Sequence, residues 1–227
     1  MKILALETAG DACSAALVAG DDALERHRVA PRQHAELILE MVRALLDESD
    51  LELGALDAVA FGRGPGSFTG VRIAAGVAQG LAYGADLPVI AISSLAALAQ
   101  GALREQGSAR VLAALDARMG EVYWGAYLEG ADGLVAACIE DCVSAPQSVP
   151  LPDGDDWQGV GGGWAAHSAA LIARIGDKLA GSEPQRLARA LDVALLAGNA
   201  HARGESVPAS QALPVYVRNR VARKREM

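Results

Sequence analysis

A glycine-rich segment between a strand-like run and a helix-like run most limits what this chain can fold into. Residues 61–72 read FGRGPGSFTGVR. They close an apolar run at residues 57–61, and a helix is predicted to begin near Thr69. A strand, a glycine-rich turn and a helix in succession are typical of an α/β fold.

Two common catalytic loops do not fit these residues. A Walker A phosphate loop needs a Lys after its glycines, and none follows here. A nucleophile elbow needs a glycine two residues before its Ser, and Pro65 stands there relative to Ser67. Two interpretations stay open. The loop binds an anion through backbone N–H groups at the positive end of the helix dipole, or it is a tight turn that Ser67 or Thr69 caps.

Strand and helix patterns alternate along the whole chain. Predicted strands cover residues 2–6, 14–18, 23–29, 57–61, 88–92, 110–116, 121–128 and 213–217. Predicted helices cover residues 33–48, 69 onward, 94–105, 165–175 and 184–202. Each half opens with an apolar strand that ends in an acid, Glu7 or Asp116, and folds back as a hairpin. We therefore predict two related lobes, residues 1–106 and 107–227, each with a mixed sheet flanked by helices; the last helix and tail are candidates to return to the first lobe.

Composition excludes a disordered chain. Hydrophobic residues make up 52% of the 227 residues and charged residues 21%, so burial of apolar surface can offset the conformational entropy lost on folding. The net charge of −8 argues against a surface that holds nucleic acid by bulk attraction to phosphate. The C-terminus is locally basic through Arg218, Arg220, Arg223, Lys224 and Arg225. This tail is either a solvated terminus or a binding element.

The cysteines and the hydropathy indicate a cytoplasmic chain with no membrane span. Cys13, Cys138 and Cys142 form an odd set without disulfide spacing, and Glu7 interrupts the apolar start. No apolar run approaches the roughly 20 residues that cross a bilayer. Because Cys138 and Cys142 have no histidines at zinc-ligand spacing, we predict that both are small buried residues.

Three glycines recur every four residues in the helix that follows the glycine-rich loop. Gly76, Gly80 and Gly84 fall on one helical face. Each costs a helix roughly 0.8 to 1 kcal/mol relative to Ala, so a surface without side chains must bring a benefit. Close approach of another helix is that benefit, and the second helix lies either in this chain or in another.

The helix predicted at residues 33–48 has an apolar arc wider than one sheet face needs. Its apolar residues span roughly 200° of the helical wheel and are Leu37, Ile38, Leu39, Met41, Val42, Leu45 and Leu46. Either the surplus meets a second protein chain or the glycine-bearing helix covers it. The partner-binding candidates on the two helices are Leu37, Ile38, Met41, Leu45, Ile73, Gly76, Val77, Gly80 and Gly84.

Acids and glycines near the strand ends are candidates for a nucleotide site. Glu7 and Asp116 end the two opening strands, where paired acids can hold Mg²⁺ beside a phosphate. Gly161 and Gly162 either approach a nucleotide or simply turn the chain. His34 has no second His or Cys three or four residues on, so no metal site is predicted.

These motifs together resemble the TsaB (YeaZ) family of bacterial tRNA threonylcarbamoyladenosine biosynthesis proteins. The resemblance rests on ILALET at 3–8, CSAAL at 13–17, HAELIL at 34–39 and, above all, AFGRGPGSFTGVRI at 60–73. It continues in QGLA at 79–82, LPV at 87–89, LDAR at 115–118, EVY at 121–123 and PVYVR at 214–218. It covers most of the chain and is weakest in the middle of the second half.

The resemblance implies an actin-like ATPase fold of two lobes and a role as a non-catalytic activator and scaffold. Family members pair with a catalytic paralogue, TsaD, or with a second copy in a homodimer, and they work with the ATPase TsaE. The complex transfers threonylcarbamoyl from threonylcarbamoyl-AMP to the adenosine beside the anticodon, so tRNA is met only through the complex.

Two departures from the family pattern point to a pseudoenzyme that requires no cofactor. Glu7-Thr8-Ala9 stands where the family usually has Asp-Thr-Ser, and His34 lacks the second histidine of the catalytic relatives. The alternative is a stand-alone actin-like ATPase or kinase in which Glu7 and Asp116 converge on a nucleotide with the glycines at 161–163.

Overall fold

The computed structural model describes residues 1–218 and contains two five-stranded sheets. The first half of the chain supplies eight elements: β1 (Lys2–Glu7), β2 (Ala12–Ala19), β3 (Asp22–Val29), α1 (His34–Ser49), β4 (Ala58–Gly62), α2 (Phe68–Gly84), β5 (Val89–Ile92) and α3 (Ser94–Gln106). The second half supplies seven: β6 (Arg110–Arg118), β7 (Glu121–Glu129), β8 (Val135–Ser144), β9 (Trp157–Val160), α4 (Gly162–Ile175), β10 (Leu179–Glu183) and α5 (Ala190–Ala202). The basic residues Arg220, Arg223, Lys224 and Arg225 lie outside the described residues.

The two sheets have the same topology. The first has the order β3-β2-β1-β4-β5. In it β2 pairs antiparallel with both β1 and β3, whereas β4 pairs parallel with both β1 and β5. The second has the order β10-β9-β6-β7-β8, in which β6 occupies the place of β1 and pairs in the same senses. The prediction of two related lobes with mixed sheets is therefore confirmed, and the chain has the actin-like fold that the resemblance implied.

The central strand β1 is buried on both faces, because its residues alternate between two apolar layers. Leu4 and Leu6 face a layer built from α1 and α2, which contribute Ile38 and Ala78. On the opposite face, Ile3 and Ala5 pack in a layer with residues of α5. The last α-helix of the described residues thus packs on the first sheet.

Helices also cover both faces of the second sheet. Val111 and Ala113 of β6 pack against α3, while Leu112 and Ala114 face α4. Because α3 and α5 also contact each other, these two helices lie between the sheets and join the lobes. Trp164 of α4 is fully buried in this arrangement, and its indole N–H donates to the Leu112 carbonyl oxygen at 3.0 Å.

Two predicted helix caps are confirmed. The Ser67 hydroxyl accepts a hydrogen bond from the Gly70 N–H at 3.3 Å, and the Ser93 hydroxyl accepts from the N–H groups of Leu95 and Ala96. Each satisfies donors that the first helical turn cannot pair internally.

The later part of the chain differs from the prediction in several elements. The strands β8, β9 and β10 were missed, and the helix predicted from residue 184 begins only at Ala190, because the chain leaves β10 through a turn. The strand predicted at residues 213–217 is wrong. This segment makes one backbone bond to the glycine-rich loop, from the Val215 N–H to the Arg63 carbonyl oxygen at 2.9 Å, and no ladder.

The cysteine prediction was also wrong for the second lobe. Cys138 is exposed and Cys142 is half-buried, because both lie on β8, the edge strand of the second sheet. Cys13 on β2 is fully buried in the first lobe, and burial raises the pKa of its thiol to about 11.

Candidate functional site

The glycines of α2 form an uncovered stripe on the protein surface. Gly76, Gly80 and Gly84 are exposed, and a methyl group added to any of them would meet no atom within 4 Å. The alternative that an internal helix packs on these glycines is therefore wrong for the described residues. The same helix buries Ala74, Ala75, Ala78 and Ala82 against the first sheet. One face of α2 belongs to the core, and the glycine face is free.

The structure divides the apolar arc of α1 into a core part and a surface part. Ile38 and Leu45 have no exposed area, so their assignment as partner-binding residues is wrong. Leu37 and Met41 are half-buried at the edge of the same core, and Leu39 is 52% exposed. The helical wheel gave the width of the apolar arc correctly but could not show which part faces the sheet.

We define the α1–α2 surface by the partner-binding candidates that keep exposed area. Its members are Leu37 and Met41 on α1, and Ile73, Gly76, Val77, Gly80 and Gly84 on α2. The two helices contact each other, and the four apolar side chains border the core of the first lobe. The surface combines apolar edges with a stripe without side chains, which suits a close helix-to-helix contact.

Two exposed aromatic residues lie at the two ends of α2, and the sequence analysis missed both. Phe68 at the start of α2 is 67% exposed and Tyr83 near its end is 82% exposed. Arg72 stacks over the Phe68 ring, with 3.3 Å between its guanidinium carbon and the ring centroid. For Tyr83 the signal was present, since it lies three residues after Gly80 and therefore near the same helical face, whereas Phe68 lies about 80° around the helix from Gly76. Exposed aromatic and arginine side chains are the residue types that anchor protein interfaces.

The glycine-rich loop packs tightly on the turn after β1. A methyl group on Gly66 would lie 2.5 Å from the Ala9 carbonyl oxygen, and one on Gly70 would overlap the Thr8 carbonyl group. The Ser67 N–H donates to the Ala9 oxygen at 2.7 Å, and the Thr8 hydroxyl donates to the Gly70 oxygen at 2.7 Å. Of the two interpretations of this loop, these contacts favour the tight turn.

Glu7 lies inside the first lobe and is already satisfied by protein groups. Its side chain is 1% exposed and accepts hydrogen bonds from the Ser94 hydroxyl at 2.8 Å and the Ala9 N–H at 2.5 Å. Gly62 on β4 leaves the space that the carboxyl group fills. Burial raises the pKa of Glu7, although the two hydrogen bonds oppose that shift. Both carboxyl oxygens therefore bond to groups of the lobe itself, and the side chain is turned away from solvent.

The other nucleotide candidates meet at one end of β6. Asp116 is half-buried, 3.1 Å from the Arg118 guanidinium and 3.7 Å from His167 Nε2. Gly161 lies beside the same strand in a left-handed conformation with φ of 97°, and a methyl group on it would lie 2.5 Å from the Ala114 carbonyl oxygen. A methyl group on Gly162 would meet nothing within 4 Å. Gly161 is thus required for a tight turn, and Glu7 does not join this group.

His34 and the surrounding residues do not form a metal centre. The ring is buried, its Nε2 has no hydrogen-bond partner, and its backbone oxygen faces the Cys13 thiol at 3.9 Å. Across residues 1–218, no three His, Cys, Asp or Glu side chains are grouped in a way that could hold a metal ion. Within the same range, none of the helices combines the length and hydropathy needed to cross a bilayer.

Comparisons with known proteins place this architecture among tRNA-modification proteins. The family model for TsaD, tRNA N6-adenosine threonylcarbamoyltransferase, matches residues 27–203. The chain is 43% identical to the tRNA threonylcarbamoyladenosine biosynthesis protein TsaB of Escherichia coli (strain K12), over 99% of this chain and 98% of that protein. The Haemophilus influenzae protein of the same name is 40% identical, over 99% and 97% of the two chains. The solved structure of YeaZ from Pseudomonas aeruginosa is 50% identical, with a TM-score of 0.88, and the match covers 95% of this chain and 99% of that one.

Proposed function

The chain belongs to the TsaB (YeaZ) family, and from this premise we propose that it is a non-catalytic activator and scaffold subunit in threonylcarbamoyladenosine synthesis. It supports its catalytic paralogue TsaD, which transfers threonylcarbamoyl from threonylcarbamoyl-AMP to the adenosine beside the anticodon. The ATPase TsaE works with the same complex in the cytoplasm. The chain itself requires no cofactor, and tRNA reaches it through the complex.

The uncovered glycine stripe of α2 is the observation that carries this proposal. Gly76 and Gly80 lie inside the helix and together cost it roughly 1.6 to 2 kcal/mol relative to Ala, while Gly84 is its last residue. Within the described residues nothing packs on Gly76, Gly80 or Gly84, so no contact inside the chain offsets this cost. A helix of a second protein offsets it, because backbones can approach closely only where side chains are absent.

The state of Glu7 supports a non-catalytic role. A phosphate-transferring site needs carboxylates that can reach Mg²⁺. Glu7 instead binds Ser94 and the Ala9 N–H inside the lobe, while Asp116 interacts with Arg118. The chemistry of the complex therefore belongs to the partner, and this chain contributes a surface.

The proposal is tested by adding one side chain to the glycine stripe and measuring whether the chain still binds TsaD. Gly80→Leu places bulk on the stripe without a clash inside the chain, since the Cβ position is open. Ala169→Leu is the matched control, because Ala169 is an exposed helical residue on α4, away from the α1–α2 surface.

We expect the wild type and Ala169→Leu to elute together with TsaD in gel filtration, and Gly80→Leu to elute alone while its circular dichroism stays unchanged. Sedimentation of the chain without TsaD, at several concentrations, reports whether a second copy uses the same surface. A Gly80→Leu variant that still elutes with TsaD would contradict the proposal.

A further inference from the structure

A polar cleft lies between the two lobes, away from the α1–α2 surface. Its volume is about 290 Å³. Arg63 and Ser93 line it from the first half of the chain, and Tyr127, Glu140 and Asp141 line it from the second. None of these residues has a role in the function proposed above.

Arg63 brings an unsatisfied cation to this cleft. Its Nε is buried and has no hydrogen-bond partner, and its guanidinium forms no ion pair within residues 1–218. A buried donor without a partner is costly, so natural structures seldom keep one without a ligand or water to satisfy it. The planar guanidinium is suited to two parallel hydrogen bonds with a carboxylate.

The cleft also contains acids that no cation neutralises. Asp141 accepts hydrogen bonds from the Ser93 hydroxyl at 2.6 Å and from the Tyr127 hydroxyl. Neither Asp141 nor Glu140 forms an ion pair with any described residue. Burial and the nearby Asp141 raise the pKa of Tyr127 well above its ordinary value, so its hydroxyl stays a neutral donor.

The other charged groups at the rim bond to neighbouring side chains, although Asp132 bonds only to neutral amide groups. The Arg203 guanidinium is 2.6 Å from Glu205, and the Asn199 amide donates to Asp132. The cleft therefore presents an unpaired cation from one lobe and unpaired acids from the other, which line the same space without bonding to each other. A ligand with one positive and one negative group can satisfy both, whereas a phosphate group would be repelled by the acids.

We propose that this cleft binds a free α-amino acid, with its carboxylate on Arg63 and its ammonium group on Asp141. The volume lies at the lower end of small-molecule pockets and suits a ligand of this size. Because the cleft joins both lobes, the bound amino acid bridges them.

Calorimetric titration of the full chain with each of the standard amino acids tests this site. We expect at least one amino acid to show saturable binding. The amino acid that binds most tightly is then compared with its N-acetyl form, which lacks the ammonium group, and with its amide, which lacks the carboxylate. Both changes should weaken binding by about 10- to 100-fold, the effect of losing hydrogen bonds to a charged group.

Variants assign the contacts. Arg63→Gln and Asp141→Asn should weaken binding by a similar factor, while Arg28→Gln, which removes an exposed arginine from β3 outside the cleft, should leave it unchanged. Circular dichroism checks that each variant folds. If a variant does not fold, the two analogues still test the proposed contacts on the wild type. Absence of saturable binding by every amino acid, or equal binding of the N-acetyl form, would overturn the proposal.

Discussion

Replacing Gly70 or Gly80 with alanine should change the stability of this protein in opposite directions, although both glycines lie on α2. At Gly80 the added methyl group points into open space. At Gly70 it would overlap the Thr8 carbonyl oxygen and lie 3.1 Å from the carbonyl carbon. The two substitutions are chemically identical, so the difference between them isolates the surroundings of each glycine.

The expected magnitudes follow from these surroundings. Gly80→Ala removes the conformational cost of a glycine in an exposed helix and should add about 0.8 to 1 kcal/mol to the free energy of unfolding. Gly70→Ala forces the loop away from the turn after β1, where the Thr8 hydroxyl donates to the Gly70 oxygen, and should remove about 1 to 3 kcal/mol. The two variants should therefore differ by about 2 to 4 kcal/mol.

Urea denaturation of the isolated chain measures this difference. The midpoint is determined at several protein concentrations, because association with a second copy would stabilise the wild type in a concentration-dependent way. Gly76→Ala, on the same stripe, is the second expected gain. If Gly80→Ala lowers stability at every concentration, the stripe is packed within the chain and the reasoning about α2 is refuted.

Two buried carboxyl groups give further predictions. Glu7 binds its proton more tightly in the folded chain than in the unfolded one, because burial raises its pKa, so the wild type should lose stability as the pH rises from the ordinary carboxyl pKa to the raised value. Glu7→Gln should remove this loss of stability, which urea midpoints measured from about pH 4 to pH 8 would show. If the midpoints of the wild type and of Glu7→Gln change with pH in parallel, the raised pKa of Glu7 is contradicted. Asp192 is 1% exposed and pairs with Arg104 at 2.8 Å, so Arg104→Met should cost about 3 to 5 kcal/mol by leaving a buried charge unpaired. Arg104→Met with Asp192→Leu should recover most of that loss, and a cost below about 1 kcal/mol for the single variant would show that the pair is unimportant.

The first lobe was predictable because its sequence signals are local. The strands β1, β2, β4 and β5 are apolar runs bounded by turn residues, and Ser67 and Ser93 stand where helix caps are expected. The three glycines of α2 also showed, from their spacing alone, that one face lacks side chains. In the second lobe β8 and β10 are edge strands with mixed, partly exposed residues, and this polarity hides them from a reading based on apolar periodicity.

The parts of the site that could not be predicted depend on residues far apart in the chain. The direction of the Glu7 side chain depends on the space at Gly62, which only strand pairing brings beside it. The burial of Ile38 and Leu45 depends on where the first sheet lies relative to α1. Likewise, Ser93 and Asp141 are 48 residues apart and meet only because α3 packs on the second sheet.

The central claim is that this chain acts through contact and leaves the reaction to its partner. The most direct measurement is the yield of threonylcarbamoyladenosine, by mass spectrometry of digested tRNA, after incubation with threonylcarbamoyl-AMP. The purified chain alone should give no modified nucleoside, and adding TsaD should give it with the wild type but not with Gly80→Leu. Modified nucleoside formed by the chain alone would contradict the account.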